Sequence, residues 1–324
     1  MISGNFVKLW LTYCDDQGIK PWEFDFKFFY KDDADTSSAI ELWLKYRLNV
    51  LHKLRLNNSV NQVLKDEINK LSLSDIVDPD KLAFPIYKAL NWQENPDDIV
   101  RGDSMNSFKA TFTQDIMKSQ NRKAAYRQIQ IDINEYLDKQ YDVLLKNKNY
   151  LAFEIVHNNQ VEQFAKLTHT VGNFTVLPYE FNVERGMSAT FHDYWDKSLD
   201  YIRTSFLEVE NAGATLPAKL QPLVAEEKLD WPGFVEKYYL QPFVNQGAYT
   251  VGELWTDHLK RGAYPTRESD FTEFYYNINL LIVERGKWMT KELCDKYGLQ
   301  TLSFYQNDLK NMTRIKHFDE IVAR

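Results

Sequence analysis

The sequence predicts a mainly α-helical protein, a single compact helical body with a few short strands. Three observations lead there. Many segments repeat apolar residues at helical spacing, several of them opened by a capping residue. The clearest short β-branched and aromatic run bounded by turn formers is Phe174–Leu177. And 44% hydrophobic with 15% aromatic residues over 324 positions supplies a large core, with no Pro-, Gly- or Ser-rich linker to divide it. One domain over 1–324 is expected, with two lobes (about 1–120 and 121–324) as the alternative division.

Taken in order, residues 6–13 read as a short first helix. Trp22–Tyr30 alternates aromatic and charged residues, the pattern of a strand or extended segment. After the acidic link Asp32-Asp33-Ala34-Asp35, Thr36 or Ser37 offers an N-cap to a helix carrying Ile40, Trp43, Leu44, Leu48 and Leu51. Val60, Val63, Leu64, Ile68 and Leu71 mark a second. Residues 79–98, with Pro79, Pro85 and Pro96, are expected to be largely irregular. A long amphipathic helix is expected over 121–147, then one over 149–157 and another ending near Lys166.

Beyond the centre of the chain, Tyr194–Leu207 is helical by the spacing of Trp195, Leu199 and Ile202, and Asn211-Ala212-Gly213 breaks it. Asp230 caps a helix with Pro232 just inside. Thr250 and Glu253 form a capping-box pair ahead of Leu254, Trp255 and Leu259. Ser269 opens a strong helix with Phe271, Phe274, Tyr275, Ile278, Leu281 and Ile282 inward, and Thr290–Tyr297 is a further one closed by Gly298.

Two polar constellations stand out. In the central stretch 167–196, Gly172 and Gly186 permit positive φ, and Asn173 and Asn182 tolerate left-handed backbone, so sharp reversals are expected on both sides of the strand, which Pro178 should end. Such turns would gather His169, Asn173, Asn182, Arg185 and Asp193 at one concavity. The competing reading is structural: the asparagines cap turns, His169 is a hydrogen-bonded interior histidine, and Arg185 pairs with Asp193 or Asp196. The second constellation, Arg101–Phe108, reads either as a loop capping the next helix through Asp103 or Ser104, or as a ligand site.

A net charge of -7 argues against nonspecific nucleic-acid binding over the whole surface. Lys118, Arg122, Lys123 and Arg127 are the best local basic face. Two cysteines, Cys14 and Cys294, in no metal-ligand spacing, suit a reducing compartment. The absence of a signal-like start and of a long uncharged apolar run points to a soluble, cytoplasmic protein without a membrane span. There is no GxGxxG, GxxxxGK[ST], HExxH or GxSxG, so nucleotide-loop, zincin and hydrolase-elbow chemistries lack their parts. No cofactor is evident.

Asp33-x-Asp35-x-x-Ser38, Arg101-Gly102-Asp103-Ser104-Met105-Asn106-Ser107-Phe108, His169-Thr170-x-Gly172-Asn173-Phe174, Asn182-x-x-Arg185-Gly186 and Asp193-Tyr194-Trp195-Asp196-x-x-Leu199 together resemble an uncharacterised bacterial family, also found in mobile elements. Phe234-Val235-x-x-Tyr238-Tyr239-Leu240-Gln241 and Glu284-Arg285 extend the likeness. It implies a family and no activity. Gly172-Asn173-Phe174-Thr175-Val176-Leu177 with Asn182 is also similar to part of the HNH-type nuclease domain of modification-dependent restriction enzymes. That likeness implies His157 as general base, a Mg²⁺ or Mn²⁺ ion, Asn173 or Asn182 orienting base or metal, and a role in phage defence. The Glu-His pair of that family is absent, since Val156 precedes His157 and Glu154 lies three positions before it.

Two functions are expected from these features. One is a binding protein whose polar pocket, built from Arg101, Asp103, Asn106, His169, Arg185, Asp193 and Asp196, takes an anionic small molecule, nucleic acid or partner. The other is a divalent-metal-dependent HNH-like nuclease using His157, Asn173 and Asn182.

Overall fold

A computed structural model describes residues 2–26, 83–92, 100–107, 158–187, 194–224, 229–254 and 268–322. These residues are mainly helical, with one two-stranded antiparallel sheet among them. The helices expected over 36–53, 60–71, 121–147 and 149–157 lie outside the described residues, as do the basic face at 118–127, His157, Asp193, Trp255 and Leu259.

The organising element is the helix Glu268–Tyr297, 30 residues long, here α7. Phe274, Tyr275, Ile278, Leu281, Ile282, Arg285, Met289 and Leu293 follow one another no more than four residues apart along it and are fully buried. Because that spacing never breaks, Thr290–Tyr297 is the end of α7 and not a separate helix. Gly298, at φ 71°, closes it in the left-handed region where glycine pays no steric penalty.

Around α7 pack α1 (Ile2–Asp16), the turn Pro21–Glu23, α3 (Asn159–Leu167) and the turn Val171–Asn173. α1 is longer than expected and buries Phe6, Val7, Trp10, Leu11 and Cys14. The segment read as a strand or extended chain from Trp22 first turns at 21–23, because Pro21 starts a short 3₁₀ turn that seats Trp22 in the core, and is then extended at Phe24; residues 27–30 lie outside the described ones. Its aromatic rings then meet Trp10: Phe24 at 6.1 Å and Phe26 at 5.4 Å.

Residues 83–92 also depart from the irregular expectation, since Phe84–Ala89 form α2. Pro85 sits in its first turn, where the missing N–H would have had no partner anyway. The Arg101–Phe108 constellation is not a capping loop at its start. Val100–Ser104 is β1, antiparallel to β2 (Phe174–Pro178), in register from Val100 opposite Pro178 to Ser104 opposite Phe174. Pro178 thus lies within the ladder as its last rung. All five residues of β2 are buried.

α4 (Tyr179–Met187) continues directly from β2, so Asn182 and Gly186 are helical and make no reversal. α5 (Trp195–Ala212) ends at Gly213, φ 62°. In α6 (Trp231–Lys237) the Asp230 side chain accepts the Gly233 N–H at 2.8 Å, the expected cap. Thr250–Leu254 is non-helical, because Val251 bridges Val244 in a tight antiparallel pair and Asn245 binds the Thr250 hydroxyl. The C-terminal helix α8 (Phe318–Ile321) closes over this pair, its Phe318 N–H donating to the Val244 carbonyl. No helix among the described residues is long and apolar enough to cross a membrane.

Candidate functional site

The two constellations meet through the β1–β2 ladder. Past its end, the Met105 N–H donates to the Asn173 carbonyl at 3.0 Å. That places Asn106 beside the Asn173 side chain, and the two asparagines organise the junction around them.

Asn173 is completely buried, and each of its amide's hydrogen-bonding positions is occupied. Nδ2 donates to the carbonyls of Thr168 (2.7 Å) and Asn106 (2.9 Å). Oδ1 accepts the Asn106 N–H (3.2 Å) and the Trp195 indole N–H (3.1 Å). A primary amide has two donors and two acceptor lone pairs, so this one is saturated. One side chain therefore ties the end of β1, the end of α3 and the start of α5. Asn106 adds a tie of its own: its Oδ1 accepts the Trp195 backbone N–H at 3.2 Å. It caps α5 from another segment where Tyr194, at the cap position, provides no side-chain bond.

Arg185, 1% exposed, reaches back from α4 to the same strand end. Its Nη2 donates to the Ser104 carbonyl at 2.8 Å and Nη1 to the Met105 carbonyl at 3.3 Å. His169 is 7% exposed; its carbonyl takes the Phe26 N–H, and its ring lies 6.4 Å from that of Phe174. Asp196 is buried in the first turn of α5, where a carboxylate is favoured by the helix dipole. Asn182 is half-buried on α4. Arg101 and Asp103 lie on β1 with their backbones opposite Leu177 and Thr175. The structure thus joins Asn106, Asn173, Arg185 and Asp196 through one knot of ladder, helix start and side-chain bonds.

Gly172 does not use positive φ, and neither does Asn173. Gly172 is required by proximity instead. A Cβ there would stand 2.0 Å from the Ile282 carbonyl oxygen of α7, and the facing Gly286 has its own ideal Cβ 3.5 Å from the Gly172 Cα. Two glycines let the 171–173 turn lie directly on the helix backbone.

The residue that locks this contact is Arg285, which the sequence shows only as part of the Glu284-Arg285 pair and without a site role. Arg285 of α7 is fully buried and donates to four carbonyls: Gly172 (3.0 Å) and Phe174 (2.6 Å) through Nη1, Tyr239 (3.1 Å) through Nε, and Tyr238 (2.9 Å) through Nη2. Its guanidinium also lies 5.2 Å from the Trp92 ring and 5.3 Å from that of Trp195. Burial pulls its pKa from the usual arginine range down to about 9, so it remains a cation at neutral pH. The signal for it is positional: Arg285 falls in the stripe Ile278–Ile282–Arg285–Met289, where an arginine must find buried acceptors.

Chemically, the Asn173 amide is fully committed, whereas the Asn106 Nδ2 beside it is buried without a hydrogen-bond partner among the described residues. Gly172-Asn173-Phe174 is held by its carbonyls from the Arg285 side and by the Asn173 amide from the other, and Asn173 has no position left for a metal ion or a water. Among the described residues no group of three or more His, Cys, Asp or Glu is placed to hold a metal. The two thiols are buried, and burial pushes Cys294 up to about 12 and Cys14 well above its ordinary value, so neither is a nucleophile at neutral pH. No family model, curated protein or solved structure matches the chain.

Proposed function

We propose that this is a binding protein for a ligand or partner bearing an anionic group, and not an HNH-type nuclease. The observation that supports it is the saturation of Asn173. In the nuclease reading this amide orients a base or a metal, whereas here it fastens three segments of the chain. Arg185 and Arg285 are likewise committed to main-chain carbonyls. The proposed anchor for the anion is Arg101, carried by β1 directly beside the knot.

The test has two arms. Purified protein incubated with DNA and RNA in Mg²⁺ or Mn²⁺ should leave both intact; cleavage that stops in His157→Ala would overturn the proposal and restore the nuclease reading, together with the phage-defence role that rests on it. Sodium phosphate or sulfate should raise the melting temperature of the wild type above that in sodium chloride of equal ionic strength. Arg101→Gln should lose that increment. An increment unchanged in Arg101→Gln overturns the assignment of the anchor.

A further inference from the structure

We draw no further inference here: the strongest candidate, the Asn106 Nδ2 buried without a hydrogen-bond partner where the end of β1 meets the start of α5, belongs to the junction already described, and the chain after Ser107 and before Tyr194 lies outside the described residues.

Discussion

Arg285 divides two polar regions that differ in one physical respect. Toward β2 its guanidinium holds Gly172 and Phe174 in the knot, where the Asn173 amide is saturated by protein groups. Toward α6 it holds the Tyr238 and Tyr239 carbonyls, and beyond them the Tyr239 phenol and the Glu292 carboxylate are half-buried and make no hydrogen bond among the described residues. The knot is dense in motif residues and its central amide is saturated, with the buried Asn106 Nδ2 as its leftover donor; Tyr239 and Glu292 are half-buried side chains at the edge of the core. Polar residues crowded in sequence here mark a folding requirement, because each buried group must find its complement.

The largest effects should come from the junction. Arg285→Met removes the donor from four carbonyls in one step and should lower unfolding free energy by about 4 kcal/mol, since each buried acceptor left unmet costs on the order of 1–3 kcal/mol. Urea denaturation checks this, and a loss below about 1 kcal/mol would break the contrast at its centre. Next comes Gly172→Ala. A methyl group 2.0 Å from the Ile282 oxygen forces the turn off α7, at about 3 kcal/mol or more by the same urea measurement.

The smallest effect belongs to Glu292, half-buried on α7. Glu292 has a folded pKa raised by burial, so its protonated form is the one the fold favours. The stability it contributes is fully present below the ordinary carboxyl range and is lost as pH rises through the raised value. At neutral pH the wild type carries that charge and Glu292→Gln does not. The variant should therefore melt at or slightly above the wild-type temperature at neutral pH, and the difference should vanish as the pH falls below the ordinary carboxyl range, about 4. Melting curves across that range sharpen the comparison; a variant that melts well below wild type would place Glu292 with the structural groups.

Much of the helical frame was legible. The Asp230–Pro232 start, the Gly213 and Gly298 stops and the inward stripe of α7 each arise from local stereochemistry. What misled was context. Gly172 and Gly186 suggested turns because glycine permits positive φ; the turn at Val171–Asn173 is there, but its Gly172 serves a backbone contact with a helix about a hundred residues away in the chain, and Gly186 is helical. Pro85 suggested irregular chain although a first-turn proline is compatible with a helix. The convergence of Arg101–Phe108 with 167–196 was legible from composition, whereas the pairing that brings it about is nonlocal and leaves no periodic trace in a strand of five residues. Arg285 was visible within a motif, but the sequence does not name its four carbonyl partners.

If Asn173 is a structural fastener, the urea unfolding free energy of Asn173→Ala against wild type shows it most directly. Truncation strands the Asn106 carbonyl, the Asn106 N–H and the Trp195 indole N–H inside the protein and leaves the Thr168 carbonyl with the Ser104 hydroxyl as its remaining side-chain donor. The expected loss is about 1–3 kcal/mol, the cost of leaving buried partners unsatisfied. An Asn173→Ala variant within about 0.5 kcal/mol of wild type, the range of an ordinary surface substitution, would contradict it.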